Sequence, residues 1–416
     1  MTGQPSPRRG VRAAQIVVLV LALLAGAGFA WRAWATHPQG EPQAAEFTDA
    51  VIGPALAGAT VLALGEATHG NAEFQDLRTG LARALPTFRT IVFEEDAGAV
   101  ALVDEYVRGG QGTAEQAASR FGFALNQTEQ MARFLQFVRD RNASLPAPEQ
   151  TRLAGIDVQR VDANKQRALG WLAGADAAGA DALATALAGL TDDRRTAADY
   201  RDASEAIDRL VAALEAAGAA SSPEGRAALA SAWALRQGRD LQQETGRYAA
   251  VRAEIMAANL ARIAEERAAD GHPQLLLFAH AGHVEKTGAA FPEPDLGELA
   301  AQRWGQGYRV IGTDVVASRF RAGDAEGQRR DFTLRHPTPL RGIFAGTRVG
   351  YLEMASATGA NADLLRRPVP MASAGDQFAD WMAWVPPLHT VTMVPADAYD
   401  ALILVADATP TIPLAS

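Results

Sequence analysis

The sequence predicts an α/β protein: a mostly parallel central sheet flanked by helices, with an all-helical subdomain inserted into it. Three observations carry that expectation. Short apolar runs of strand length end in glycine or in a charged or histidine residue. Segments with apolar residues at helical spacing separate them. One long stretch has helix-forming composition and no strand-like run.

In chain order, residues 60–65 (TVLALG) read as a buried strand and a loop. Phe74, Leu77, Leu81 and Leu85 then recur at helical spacing until Pro86 closes the pattern. Residues 90–93 (TIVF) form a second strand, followed by Glu94, Glu95 and Asp96. Helices are expected over 98–108 and 128–142, and a third strand over 152–156 ends at Asp157. From about 162 to 269 the composition shifts to Ala, Glu, Arg and Leu, with breaks at 218–223 and near Gly246, so this block is helical. Strand character resumes at 274–278, leading to His280 and His283, and again at 308–312 and 401–405. The stretch 316–385 is mixed, and its pattern orders no elements.

The N-terminus has its own logic. Arg8, Arg9 and Arg12 lie in a basic n-region (1–12) before an apolar stretch over 13–31. That pattern marks a signal anchor or a signal peptide, with Ala33, Trp34 and Ala35 offering a cleavage site. Residues 32–45 read as a linker, and the body runs from 46 to 416. Either reading of the segment places the body outside the cytoplasm, membrane-anchored or secreted. The net charge of -9 argues against a nucleic-acid surface. The absence of cysteine excludes disulfides, zinc–thiolate sites and a cysteine nucleophile.

Unusual polar residues mark four strand ends: Glu66 and His69, Glu94, Asp157, and His280 with His283. Ligand sites in open parallel sheets form outside the carboxyl ends of the strands, so these distant residues are expected to meet at one edge. Trp381 and Trp384, followed by Pro386 and Pro387, are expected as a buried aromatic pair, with a substrate mouth as the alternative. His336 and His389 have no evident partner and default to surface or core roles.

Several of these strings resemble the erythromycin esterase family. Gly65, Glu66, Ala67, Thr68, His69 and Gly70, then Glu73, Phe74 and Arg78, resemble its G-E-x-x-H-G segment and the arginine nine positions after the histidine. Val92, Phe93 and Glu94, with Tyr106 twelve residues on, resemble the next segment. Residues 154–159, the helix bearing Met256, Ala257 and Asn259, and Ala279, His280, Ala281, Gly282 and His283 are similar to later ones. So are Tyr399, Asp400 and Ala401 and residues 408–411, which carries the ordered likeness over about 46–416. Two departures bear on substrate: Ala281 stands where asparagine is usual, and Ala253 where an aspartate is.

The resemblance implies hydrolysis of a carboxylic ester or lactone without metal or other cofactor, and without a covalent intermediate. Under it His69 is the base that activates water, oriented by Glu66 or Glu94. Arg78 with His280 or His283 would stabilise the oxyanion, while Glu73, Asp157 and Arg252 are candidate substrate contacts. No G-x-S-x-G string lies near these residues, so no serine nucleophile elbow is expected. The residue types leave two alternatives open. The same Glu/His cluster could ligate zinc or manganese, or a degenerate site could serve only to bind an envelope ligand.

Overall fold

Burial on both faces explains the strands. In β2 (Val61–Glu66) every residue is buried. Leu62 and Leu64 enter one apolar cluster and Val61 and Ala63 another. β5 (Leu275–His280) divides the same way, Leu276 and Phe278 to one side, Leu275 and Leu277 to the other. A strand covered on both faces loses the polar alternation of a surface strand, hence the continuous apolar runs in the sequence.

The structure is a computed structural model and describes residues 37–48 and 51–415. The apolar segment 13–31 and its basic flank lie outside the described residues. Among the described residues no helix is long and apolar enough to cross a membrane.

The remaining strands are β1 (Ala45–Glu46), β3 (Thr90–Asp96), β4 (Arg152–Asp157), β6 (Tyr308–Gly323), β7 (Arg329–Arg335), β8 (Val349–Glu353), β9 (Val369–Ala372), β10 (Thr390–Met393) and β11 (Ala401–Ala408). One sheet runs β1-β8-β11-β6-β2-β5-β3-β4, with β7 paired to β6. Its six central strands, β11 through β4, are mutually parallel. β1, β7 and β8 pair antiparallel at its margins. The predicted fold class, a mostly parallel sheet flanked by helices, is the observed one.

The largest difference from the sequence reading is β6. It was expected to stop at Gly312 but continues to Gly323, past the edge where its neighbour β2 ends, and the extension carries β7. The exposed Arg319 and half-exposed Arg321 interrupt its apolar pattern there, which hides the strand from a periodicity search. The mixed stretch 316–385 resolves into the end of β6, β7, β8 and β9, and β9 pairs with β10 just beyond it.

The sheet is flanked by α1 (Ala72–Ala84), α2 (Ala97–Val107) and α3 (Glu129–Ala143), which bury Phe74, Leu77, Val103 and Phe134 against one face. Between β4 and β5 the chain is helical: α4 (Asp162–Ala175), α5 (Ala177–Ala186), α6 (Ala197–Ala216), α7 (Pro223–Gln243) and α8 (Tyr248–Ala269). The first four share an apolar cluster of their own, centred on Leu172, Ile207, Leu210 and Leu235. Asp96 joins that block to the sheet. Its carboxyl caps α2 through the Gly98 and Ala99 amides and accepts from Asn164 of α4. Much of the linker stretch is tied to the body: Gln39 and Gln43 donate to Pro339 and Ile343 carbonyls, and β1 joins β8.

Candidate active site

The site forms where the loops after β2, β3 and β5 meet. After Glu66 the chain turns sharply, and hydrogen bonds with distant segments hold the turn. The Ala67 amide donates to the Thr313 hydroxyl at 2.8 Å, and the Ala374 amide donates to the Ala67 carbonyl at 2.9 Å. Thr68 donates to Asn71, whose side-chain amide reaches the Arg319 and Thr409 carbonyls at 2.9 and 3.1 Å. Gly70 is required by crowding: a Cβ there would stand 2.0 Å from the Arg321 carbonyl oxygen. Gly65 has a similar reason, since its Cβ would meet the Ala281 Cα at 2.9 Å. Its absence lets the short helix α9 (Ala281–Val284) lie directly on β2, and this brings His280 and His283 toward His69.

The register of β3 on β4 shifts between Phe93 and Asp96, the mark of a bulge. A bulge re-aims consecutive side chains. The Glu94 carboxylate goes toward β5, accepting from the His280 amide at 2.9 Å. Glu95 instead binds the amides of Asp96 and Phe123 and the side chain of Asn126.

Three imidazoles result in a row. The His69 and His280 rings lie 4.9 Å apart, and those of His280 and His283 lie 6.3 Å apart. His69 Nδ1 faces Glu66 Oε2 at 3.5 Å, a loose contact. His280 Nδ1 accepts from the Gly282 amide at 3.2 Å, so its proton sits on Nε2. Arg252 Nη1 stands 3.1 Å from His283 Nε2. A guanidinium only donates, which leaves the His283 proton on Nδ1. Neither His280 Nε2 nor His283 Nδ1 has a hydrogen-bond partner among the described residues, and both are buried. Phe291 stacks on the far face of His283 at 5.1 Å.

Two guanidinium groups set the charge. Arg78 bonds Glu66 Oε1 from Nε at 2.7 Å and contacts it from Nη2 at 2.6 Å. Arg252 bonds Glu94 at 2.7 Å and Asp157 through Nε at 3.0 Å and Nη2 at 2.5 Å. Burial opposes ionisation of Glu66 and Glu94. Arg78 and His69 nevertheless hold Glu66 below the usual carboxylate range, and Arg252, His69 and the His280 amide do the same for Glu94. Burial also opposes the charged form of His69, but Glu66 and Glu94 outweigh it and raise its pKa above the ordinary 6.5. His280 goes the other way: burial and the two flanking histidines push it down to about 3, so it stays neutral. Burial lowers His283 as well. The row therefore contains one basic imidazole beside two neutral donors.

The structure gathers Glu66, His69, Glu94, Asp157, Arg252, His280 and His283 at one place. It gives two sequence candidates different positions. Arg78 lies buried behind Glu66, flanked by the Phe93 and Phe278 rings at 5.8 Å and bonded to Asn126. It orients and neutralises Glu66 and does not face the imidazole row. Glu73 gives both carboxylate oxygens to Thr409, amide and hydroxyl, and so anchors the segment that follows β11. Asn71, Asn126 and Thr313 hold the site and had no sequence signal, because ordinary polar residues gain meaning only from their partners. Among the described residues no three His, Asp or Glu side chains converge as a metal-ligand set.

The expected buried pair of tryptophans is overturned. Trp381 and Trp384 are 62% and 86% exposed. Their neighbours Met382 and Ala383 take the inward positions, against the Phe320, Phe332 and Phe378 cluster. His336 is buried against the Pro370 carbonyl and Asp314, and His389 against the Met382 carbonyl.

The sequence profile of the erythromycin esterase family matches residues 86–408. The chain belongs to the erythromycin esterase family. The matched span holds Glu94, Asp157, Arg252, His280 and His283, while Glu66, His69 and Arg78 precede it. No curated protein matches. Among solved structures, a Bacillus cereus protein superposes with a TM-score of 0.74 at 19% identity, covering 90% of this chain and 97% of that one. A succinoglycan biosynthesis protein gives 0.72 at 16% identity, covering 89% and 96%. A mutant of the erythromycin esterase EreC in its open conformation gives 0.57 at 20% identity, covering 85% and 92%. At these identities the likenesses establish a shared fold.

Proposed function

We propose that this member of the erythromycin esterase family hydrolyses a carboxylic ester or lactone with water activated by His69, without a covalent intermediate. The observation that carries the reading is the pairing of His69 with a fully buried, arginine-held Glu66, 4.9 Å from the ring of a neutral His280. With Nδ1 turned to Glu66, His69 presents Nε2 to a water molecule. As the water oxygen attacks the carbonyl carbon, Nε2 takes its proton and Glu66 stabilises the imidazolium. The oxyanion that forms needs preorganised donors. The Nε2–H of His280 and the Nδ1–H of His283 are donors with no other acceptor among the described residues. When the C–O bond breaks, the imidazolium returns its proton to the departing alkoxide. Arg252 stays bound to Glu94 and Asp157 and fixes the His283 tautomer throughout. Its N-terminal sequence supports the further reading that the enzyme works outside the cytoplasm.

The test is a panel of aryl esters, simple lactones, macrolides and acyl-sugars in ¹⁸O-water. Isotope is expected in the acid product within a single turnover, with no acyl-protein trapped by rapid quench. An acyl-protein would replace the water mechanism with nucleophilic catalysis.

A pH prediction follows from the direction of the His69 shift. The base works when neutral, and its folded pKa lies above 6.5, so turnover rises with pH along a limb whose midpoint lies above 6.5. A kcat profile already flat at pH 6 would show that His69 is not the titrating base.

A further inference from the structure

Among the described residues, the loop between β9 and β10 gathers the most exposed large apolar side chains. Four of the six exposed large hydrophobic side chains among the described residues belong to it: Trp381, Trp384, Val385 at 38% and Leu388 at 41%. It is well anchored. Met382 and Ala383 pack inward, Asp380 is paired with Arg330 at 2.8 Å, and Asp376 with Arg329 at 2.6 Å. Charges around it are thus neutralised in pairs. The loop also borders the site, because Ala374 at its base pairs with the turn carrying Thr68 and His69. A fixed, outward-facing set of tryptophans and aliphatics is costly in water and favourable at the headgroup level of a bilayer, where indole rings concentrate.

The chain outside the described body says what could cover it. The apolar stretch ends at Trp31, and Gln39 is already hydrogen-bonded to Pro339. Eight residues span at most about 28 Å, close to the radius of gyration of about 21 Å expected for such a body. If the apolar stretch lies in a membrane, the body cannot stand clear of it. The attachment point is moreover structurally continuous with the loop. Pro339 follows closely on His336, which bonds Pro370 of β9 at 3.1 Å, and β9 pairs with β10 directly after the loop.

We propose that the Trp381–Leu388 loop is a membrane-docking element. It seats the mouth of the site on the lipid surface from which the N-terminal segment emerges. The enzyme would then take amphiphilic esters presented at that surface. The docking does not depend on the hydrolytic mechanism, so each can fail alone.

Because the chain contains no cysteine, one can be introduced without competition. The full-length protein is reconstituted in phosphatidylcholine vesicles containing doxyl-labelled lipid. It carries a polarity-sensitive dye at Val385→Cys or, as control, at Thr87→Cys, an exposed position before β3 on the opposite edge of the sheet. Dye at 385 is expected to be blue-shifted and at least twofold quenched by headgroup-proximal doxyl groups, with no change at 87. The same label in a Trp381→Ser/Trp384→Ser background, with circular dichroism unchanged, should lose most of the quenching. Equal, water-like emission at both positions overturns the proposal. So does quenching that survives removal of the tryptophans. A shift in detergent that follows protein concentration, indicating a second copy as occupant, or one that appears only with added ester, indicating a substrate lid, overturns it equally.

Discussion

His69→Ala is expected to lower turnover on a competent ester by about 10²–10⁴-fold, the range typical of losing a positioned general base. The fold should survive the change. The Glu66 carboxylate is held by Arg78 at 2.6–2.7 Å, whereas its contact with His69 is a loose 3.5 Å, so removing the imidazole strands no buried charge. KM should move little, because the ring acts on water. The measurement is kcat for wild type and variant on the same substrate, with thermal unfolding as control. Equal rates would leave the site with a binding role only.

The second large effect concerns stability. Arg78→Met is expected to destabilise the protein by about 3–5 kcal/mol, the usual penalty for removing one partner of a buried ion pair. Glu66 is wholly buried, and its strong bonds come from Arg78. Methionine would fill the space between Phe93 and Phe278 but leave a carboxylate with no cation against it. Adding Glu66→Gln to the same chain should restore part of the loss, since the uncompensated charge disappears. Urea midpoints of wild type, single and double variants decide the matter. A single-variant loss below about 1 kcal/mol would mean that the pair is solvated. The base would suffer too: a protonated Glu66 no longer raises the pKa of His69.

How much of this was readable beforehand follows from the physics of each segment. β2, β3, β4, β5 and β11 announced themselves because parallel strands buried on both faces must be apolar throughout. Histidines and carboxylates placed just past such strands share one edge by topology, so the gathering of Glu66, His69, Glu94, His280 and His283 was accessible from sequence. Roles within the gathering were not. Whether Arg78 faces substrate or supports Glu66 depends on a helix packing angle, and whether Glu73 meets substrate depends on Thr409, 336 residues away. The bulge that separates Glu94 from Glu95 is likewise set by the neighbouring strand. The tryptophans misled because burial of aromatics is a strong average tendency, and at 381–384 the inward positions go to Met382 and Ala383.

The turn bearing His69 has a temporal consequence. Its backbone is clasped by segments made much later: Thr411 donates to Gly70, and Asn71 donates to Thr409, 338 positions downstream. A nascent polypeptide that has emerged only as far as α9 already contains all three imidazoles of the row. It still lacks the stitches that fix the first of them. Competence thus arrives late in synthesis, after the sheet has largely been assembled around an unfinished corner.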